Sequence, residues 1–499
     1  LNSNDGYSLN GLYRGGNSTH QFVAYASHDD TDGYQPWRDE DIQPSATDRE
    51  RGYEVTMVGL KYGFNATDRS RLSFQYQHTD NALDFARPYL NFNTVNERDE
   101  DIFTAKYEWQ ANDNIGLYIK TYRHNWDTEY TRIYNVLDGS GNLTGDIEYI
   151  NNRSYWGYED YGLNAMAKLN FGGSLEYVVG VDHQNFSGSD DVWRIADQEE
   201  EVNAVFAQIR TTPELFDNTT LAFGVRENDP SNADSVTVWN VSGKHEFTPN
   251  FFMQGNIGTS FRLPDAEALF LNEYYDDDND GVPDGGWFAI GNPNLKPEQS
   301  ENINLSIGGM AGNFSYELIA FDRKITDYID SYVPLTIGGV EGESFVNSND
   351  EVDVDGFEFI GSIAINQNWA TNFSFSSTNS ELNSDGVQLT GIPETEIKVA
   401  ANYESSTFPF GLTFAIDRVG DLNARRGQVR GDYTVIDVSA FVNLGNDEAH
   451  QLVFRLENLT DEEYASRVDR GTLDATGGSY LYDNLGMSRT VHASYTRRF

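Results

Sequence analysis

Cysteine is absent from the 499 residues, which excludes a disulfide scaffold, a thiol nucleophile and a thiolate metal site. Long apolar runs are absent too: none approaches the roughly 18 residues that a membrane-crossing helix needs. Basic residues are scarce, 34 Lys and Arg against 79 Asp and Glu, for a formal net charge of −45. Phosphate recognition needs clustered Lys and Arg, so no nucleic-acid partner is expected. Proline is sparse at 13, as one extended β architecture allows. Enzyme signatures are missing: there is no G-x-S-x-G, P-loop or Rossmann fingerprint, and His78, His124 and His183 are dispersed without metal spacing. Ser, His and acidic residues are too common here to select a triad. Catalysis has no support.

What is present is aromatic and glycine-rich, with 29 Tyr, 30 Phe and 45 Gly. An acidic disordered chain would be poor in aromatics. The mean hydropathy of −0.57 does not exclude a membrane, because a barrel shows lipid only every second residue. The rhythm of connections decides the architecture. About ten hairpins are closed by tight links, near Gly15-Gly16-Asn17, Asn65 to Asp68, Asn112-Asp113-Asn114, Gly172-Gly173 and Pro213 to Asp217. The later links fall near Thr248-Pro249-Asn250, Ala311-Gly312-Asn313, Asn366-Gln367-Asn368, Ser405-Ser406-Thr407 and Gly445-Asn446-Asp447. Between hairpins lie longer polar stretches: Asp29 to Arg51, Asn125 to Asp160, Leu263 to Ser300 and Tyr464 to Ser488. Short links on one side and long loops on the other is the outer-membrane barrel pattern.

Alternation is clean in Phe357 to Ile365 and in Thr434 to Val442, where Ile436, Val438, Ala440 and Val442 share a face. Thr237 to Gly243 is a mixed run, with Val238 and Asn240 facing one way and Val241 the other. Trp109, Trp126, Trp239 and Trp369 fall near strand ends, either as interface girdles or as ordinary strand-core aromatics. Two strands per hairpin plus the last run, Ser488 to Phe499, give about 21 strands. The first run, Asp5 to Arg14, enters a tight turn directly, so it descends from the outside.

The stretch Gly291 to Gly309, GNPNLKPEQSENINLSIGG, opens with turn chemistry at Asn292-Pro293-Asn294 and closes with Ile303, Leu305 and Ile307 alternating with Asn304 and Ser306. It resembles the NPNLKPE block of TonB-dependent outer-membrane receptors. Thr31-Asp32-Gly33-Tyr34, Ser260 to Pro264, Glu457 to Tyr464 and the closing Thr496-Arg497-Arg498-Phe499 resemble further segments of the same family, in the same order. The resemblance implies an all-β transmembrane antiparallel barrel of the type with about 22 strands, too wide to be selective unless plugged. It implies that residues 1–499 are the barrel domain only, with the plug and first strand lacking. It further implies a monomer in the lipid bilayer of a Gram-negative outer membrane and TonB-energised uptake coupled through the plug. The terminal Phe499 would be read by the outer-membrane assembly machinery. The favoured solute is a ferric siderophore; cobalamin or an oligosaccharide stays open. A passive porin, or a secreted calcium-binding β-protein, is the reading from another class.

Two constellations carry candidate chemistry. Asp276, Asp278, Asp280 and Asp284 place oxygen ligands around a glycine turn, as a calcium loop does; they resemble thrombospondin type 3 loops and lack the EF-hand glutamate. The other reading is a solvated acidic loop. Arg425, Arg426 and Arg430 are basic residues in an external stretch of an acidic chain, and Arg467 and Arg470 follow in the next. Guanidiniums grip carboxylate, catecholate or phosphate through forked hydrogen bonds, and the alternative is pairing with nearby acids. Trp37, Tyr274, Tyr275 and Trp287, with Tyr34, Tyr155, Trp156 and Tyr158, offer stacking faces for a ligand or pack loop against loop.

Overall fold

In the computed structural model the alternating runs become 21 antiparallel strands of one sheet. Residues 1–46, 49–89, 92–140, 142–275, 281–284, 286–382, 386–425, 427–445 and 449–499 are described. Each strand bonds to the next strand of the wall, from Tyr7–Gly16 against His20–Tyr34 to His450–Glu457 against Thr490–Arg497. The sheet curls until its last strand meets the first residues. There the Ala493 N–H donates to the Leu1 carbonyl and the Ser3 N–H to the Val491 carbonyl, both at 3.0 Å, around a bridge between Asn2 and His492.

The tight links stand where turn chemistry puts them. Asn112 Oδ1 accepts from the Asn114 N–H at 2.9 Å, leaving Asp113 and Asn114 between Phe92–Asn112 and Ile115–Leu137. Asn17 does the same for Thr19 and His20. In the last predicted link, Asn446 and Asp447 lie outside the described residues.

Pleating sorts the two faces. Side by side on consecutive strands run Trp109, Leu117, Ala167, Val179, Ala207, Val225 and Trp239, with Trp109, Val179, Val225 and Trp239 exposed. An apolar row ending in tryptophans is what a lipid-facing wall requires. The opposite face is polar, as in the row Lys61, Gln75, Thr104 and Tyr122. Trp126 departs from the girdle expectation. It falls on the polar, inward face, 5.0 Å from Tyr158 and 6.0 Å from Trp156.

The long polar stretches hold more structure than expected. Asn125 to Asp160 is largely a continuation of Ile115–Leu137 and Leu143–Leu169, because the two strands satisfy each other's backbone beyond the apolar band. Leu263 to Ser300 contains the helix Ala266–Phe270, capped by Asp265. It also contains Asn272–Glu273 and Phe288–Ile290, which join Ile329–Ile337 and Val340–Asn347 in a four-stranded sheet. Tyr464 to Ser488 folds as the hairpin Ala465–Thr472 and Ser479–Leu485.

Among the described residues, two buried apolar clusters lie in the connections between wall strands. One joins Ala268, Leu271, Ala289, Leu295, Ile329 and Phe345; the other joins Trp37, Ala86 and Tyr482. The barrel wall turns its apolar side chains outward, so the dry cores form in the cap.

Candidate functional site

Four sequence segments set the cap on the wall. Glu298, 7 % exposed, accepts both Nε and Nη2 of Arg262 at 2.8 Å and the Ile329 N–H at 2.8 Å. The Ser260–Pro264 and Gly291–Gly309 segments are thus two halves of one forked ion pair. Asn458 has a positive φ of 50°. Its side chain accepts from the Glu462 N–H and donates to the Glu462 and Met487 carbonyls, tying the end of His450–Glu457 to the start of the last strand. Gly33, at φ +86°, could carry no side chain: a Cβ there would stand 1.8 Å from the Arg51 carbonyl oxygen. That close approach sets Tyr34 opposite Arg51.

Above the wall the connections line a cavity of about 900 Å³. Its lining includes Arg51, Arg87, Arg425, Arg467 and Arg470 and, among the described residues, one carboxylate, Asp469. Arg467 Nε is held by Asp469 at 2.9 Å. Among the described residues no carboxylate pairs with Arg51, Arg87, Arg425 or Arg470. Arg51 lies over the buried Trp37 ring at 5.1 Å, and burial pushes its guanidinium down from the usual arginine range. The same lining carries the rings of Tyr89, Tyr130, Trp156, Trp193 and Tyr482. Burial, then the neighbouring Tyr89, raises the Tyr482 phenol above the ordinary tyrosine range, so it stays a neutral donor. Four buried polar atoms of the lining have no hydrogen-bond partner among the described residues: Arg51 Nε, Asn96 Oδ1, Trp156 Nε1 and Asn484 Oδ1. Guanidinium donors beside large ring faces can hold an anion with flat groups.

A second recess, about 1070 Å³, follows the inner wall and is lined by Lys244, Glu317, Lys398, Asp417 and Asp437 among others. Its charges are mixed and several are already paired, as Lys398 is with Glu396 at 2.8 Å.

The predicted residues divide. Arg425, Arg467 and Arg470 meet at the cavity, with Tyr34 and Trp156. Arg430 does not reach it: Asp483, only 5 % exposed, accepts its Nε and Nη2 at 2.8 Å. Trp37, 2 % exposed, is core, because the Pro36 turn folds it beneath Arg51 and against Tyr482. Tyr274, Tyr275 and Trp287 sit elsewhere in the cap. Tyr274 packs 5.9 Å from Phe288, Arg194 covers Tyr275 at 4.5 Å, and Trp287 is exposed. Arg426 lies outside the described residues, as do Asp276, Asp278 and Asp280. Asp284 is described and its N–H donates to the Tyr275 carbonyl at 2.7 Å. Among the described residues no three acidic or histidine side chains are placed to hold a metal.

Sequence reasoning missed Arg51, Arg87, Asn96, Trp193 and Asn484. For Arg51 and Arg87 a signal existed, since both are basic residues in or beside external stretches of an acidic chain. For Asn96 and Asn484 there was none.

Residues 1–459 match the family described as TonB dependent receptor-like, beta-barrel. The siderophore receptor PirA from Acinetobacter baumannii superposes with a TM-score of 0.78 at 13% identity, over 100% of this chain and 78% of that one. A mutant of the ferric enterobactin receptor PfeA from Pseudomonas aeruginosa, in complex with enterobactin, gives 0.75 at 14% identity, over 99% and 78%. Such identities establish a shared fold alone. In sequence, the vitamin B12 transporter BtuB of Photobacterium profundum is 21% identical over 313 residues, 63% of this chain and 46% of that protein. The BtuB of Vibrio vulnificus is 25% identical over 282 residues, 55% and 39%. The chain spans about half the length, or less, of the curated relatives it matches.

Proposed function

Because this chain belongs to the TonB-dependent receptors, an outer-membrane β-barrel family of Gram-negative bacteria and not an enzyme family, we propose that it serves uptake of an anionic ferric siderophore first gripped in the mouth cavity. One observation carries the choice of solute. In a chain where acids outnumber bases by 79 to 34, this cavity reverses the ratio, with five arginines to one carboxylate. Unpaired guanidiniums held close together repel one another unless an anion joins them. The aromatic wall supplies faces for catechol or similar rings. The structural likeness to a siderophore receptor and to a ferric enterobactin receptor supports the reading.

The test is a titration of the full receptor in detergent with ferric enterobactin. Replacing Arg425 and Arg470 by Ala together is expected to weaken binding by about a hundredfold or more, since charged hydrogen bonds contribute about 1.5–3 kcal/mol each. Unchanged affinity would reject the proposal. Cobalamin uptake is the second reading, favoured by the BtuB relatives. Tighter binding of cyanocobalamin, indifferent to the arginine replacements, would select it.

The remaining assignments stand as parts of the proposal. TonB coupling belongs to a plug segment and not to the residues described above. The assembly machinery would engage the last strand, whose Phe499 ring is fully exposed beneath the Arg497 guanidinium at 4.4 Å. Calcium at Asp276, Asp278, Asp280 and Asp284 would brace the cap without taking part in transport.

A further inference from the structure

Lysine is scarce in this chain, eight in 499 residues, so where the lysines stand is informative. Four sit in ion pairs: Lys168 with Glu176, Lys244 with Glu246, Lys324 with Glu351 and Lys398 with Glu396, at 2.8–3.0 Å. The other four have no carboxylate partner among the described residues. One of them, Lys296, is exposed in the outer connection Leu263 to Ser300. The remaining three gather on one patch of the inner wall. Lys106 and Lys120 stand directly opposite each other on Phe92–Asn112 and Ile115–Leu137. They are two residues along from Thr104 and Tyr122 of the polar inward row, and therefore on the same face. Lys61 belongs to that row. With Arg71 and Lys106 it lines a recess of about 320 Å³ whose lining holds no carboxylate among the described residues. Arg71 itself donates to neutral acceptors, Asn65 Oδ1 at 2.9 Å and Gln21 Oε1 at 3.1 Å. Of the acids on this face, Asp182 is held by Arg226 at 2.8 Å. Glu108, across from Arg71, forms no ion pair with it.

Like charges directly opposite each other on neighbouring strands destabilise a sheet. Water hydrates each ammonium but brings no charge to offset its neighbour. Lys61 is exposed, and Lys106, Lys120 and Arg71 are half-buried, so an anion can reach all four. The recess is at the small end of the size range of ligand sites. We propose that Lys61, Lys106 and Lys120, with Arg71 beside them, form a second anion site on the inner wall, where a small anionic solute binds after it leaves the mouth cavity. The two sites share their strands. Asn96 and Tyr130 line the mouth cavity, and Lys106 and Lys120 follow ten residues along the same two strands, about 33 Å at the rise of a strand. On the same face between them, Glu100 and Asp160 flank His124 at 2.7 and 3.5 Å. An anion passing those acids needs cations beyond them. The role in passage rests on the proposal that the mouth cavity grips an anionic chelate; the anion site itself does not.

Two measurements on the full receptor test this. In detergent it is treated with pyridoxal 5′-phosphate or with phosphate-free pyridoxal, reduced with borohydride and mapped by peptide mass spectrometry. Both aldehydes condense with a lysine amine, and only the first brings a phosphate. Labelling within the trio of Lys61, Lys106 and Lys120 is expected to be about tenfold greater with the phosphate. Lys296, equally without a carboxylate partner, should not distinguish the two reagents. Equal labelling of the trio by both, or none by either, would overturn the site. The second measurement compares the Lys106→Gln, Lys120→Gln double variant with the parent. Its ligand-free unfolding temperature should equal or exceed that of the parent, because two like charges are removed. A clear fall would show that acidic groups elsewhere in the receptor hold these lysines, and would also overturn the site. Neither lysine lines the mouth cavity, so binding of ferric enterobactin should stay within about twofold while its uptake by whole cells slows about tenfold. Unchanged uptake would reject the role in passage. A parent that binds no ferric enterobactin would sink the siderophore reading, and the phosphate-dependent labelling would still decide the anion site.

Discussion

Asp190 shows how one side chain shapes the mouth. It is fully buried at the end of Leu175–Asp190, and its Oδ1 accepts the Val192 and Trp193 N–H groups at 2.7 and 2.9 Å. This turn delivers Trp193 to the cavity, edge-on to Trp156 at 6.3 Å. Burial raises the Asp190 carboxyl above the usual carboxylate range, against the lowering effect of the two backbone donors. A carboxyl whose folded pKa lies above its unfolded value binds its proton more tightly when folded. Its contribution is present at low pH and is lost as pH rises through the raised value. The folded state should therefore gain stability on mild acidification, seen as a rise in the unfolding temperature followed by tryptophan emission. Asn at this position keeps the Oδ1 acceptor without a charge, so Asp190→Asn should flatten the titration. A shift that persists in the variant would assign it to another group.

Among the elements, the hairpin Ala465–Thr472 and Ser479–Leu485 does most to assemble the site. Asp483, on its second strand, accepts Arg38 Nη1 and Arg430 Nε, each at 2.8 Å, and so ties down the connection after Tyr34 and the Leu422–Arg430 arm. Removing one carboxylate would leave two guanidiniums without it, of which Arg38 keeps Glu463 at 2.6 Å. Asp483→Ala is expected to cost about 2–3 kcal/mol and to open residues 422–430 to protease. A digestion pattern like that of the parent would show that the arm is held by something else. This ion pair also marks where reading the sequence stopped. Turns such as Asn112-Asp113-Asn114 were legible because Asn and Gly act on their own backbone. The arginines were legible as a scarce type in an acidic chain. That Arg430 is taken by a residue 53 positions away, while Arg425 lines the cavity, depends on how separate loops dock. No local pattern encodes that. The same holds for Glu298 and Arg262, recognisable in two segments but not as partners of each other.

For the molecule as a whole, the acid excess has to be accommodated in a wall of neighbouring strands. Asp80, Asp99 and Asp127 face one another directly on three of them, where like charges destabilise. His78 Nε2, 3.5 Å from Asp80, and ions from solution can offset part of this repulsion. Raising ionic strength from about 0.01 M to about 0.15 M shortens the screening length from about 30 Å to about 8 Å. The unfolding temperature in detergent is expected to rise over that interval. A flat or falling response would mean that the fixed arginine and lysine partners already neutralise the wall.

The placement of the two dry cores bears on how such a protein can change over evolutionary time. The cluster of Trp37, Ala86 and Tyr482 draws on three separate connections, and that around Phe345 draws on Ala268, Ala289, Leu295 and Ile329. A new ligand preference therefore cannot be acquired by lengthening or exchanging one loop alone, since its neighbours would lose their packing partner. The connections should be inherited as two linked sets, each drifting together, while the strands beneath them vary independently under the looser demand of alternation.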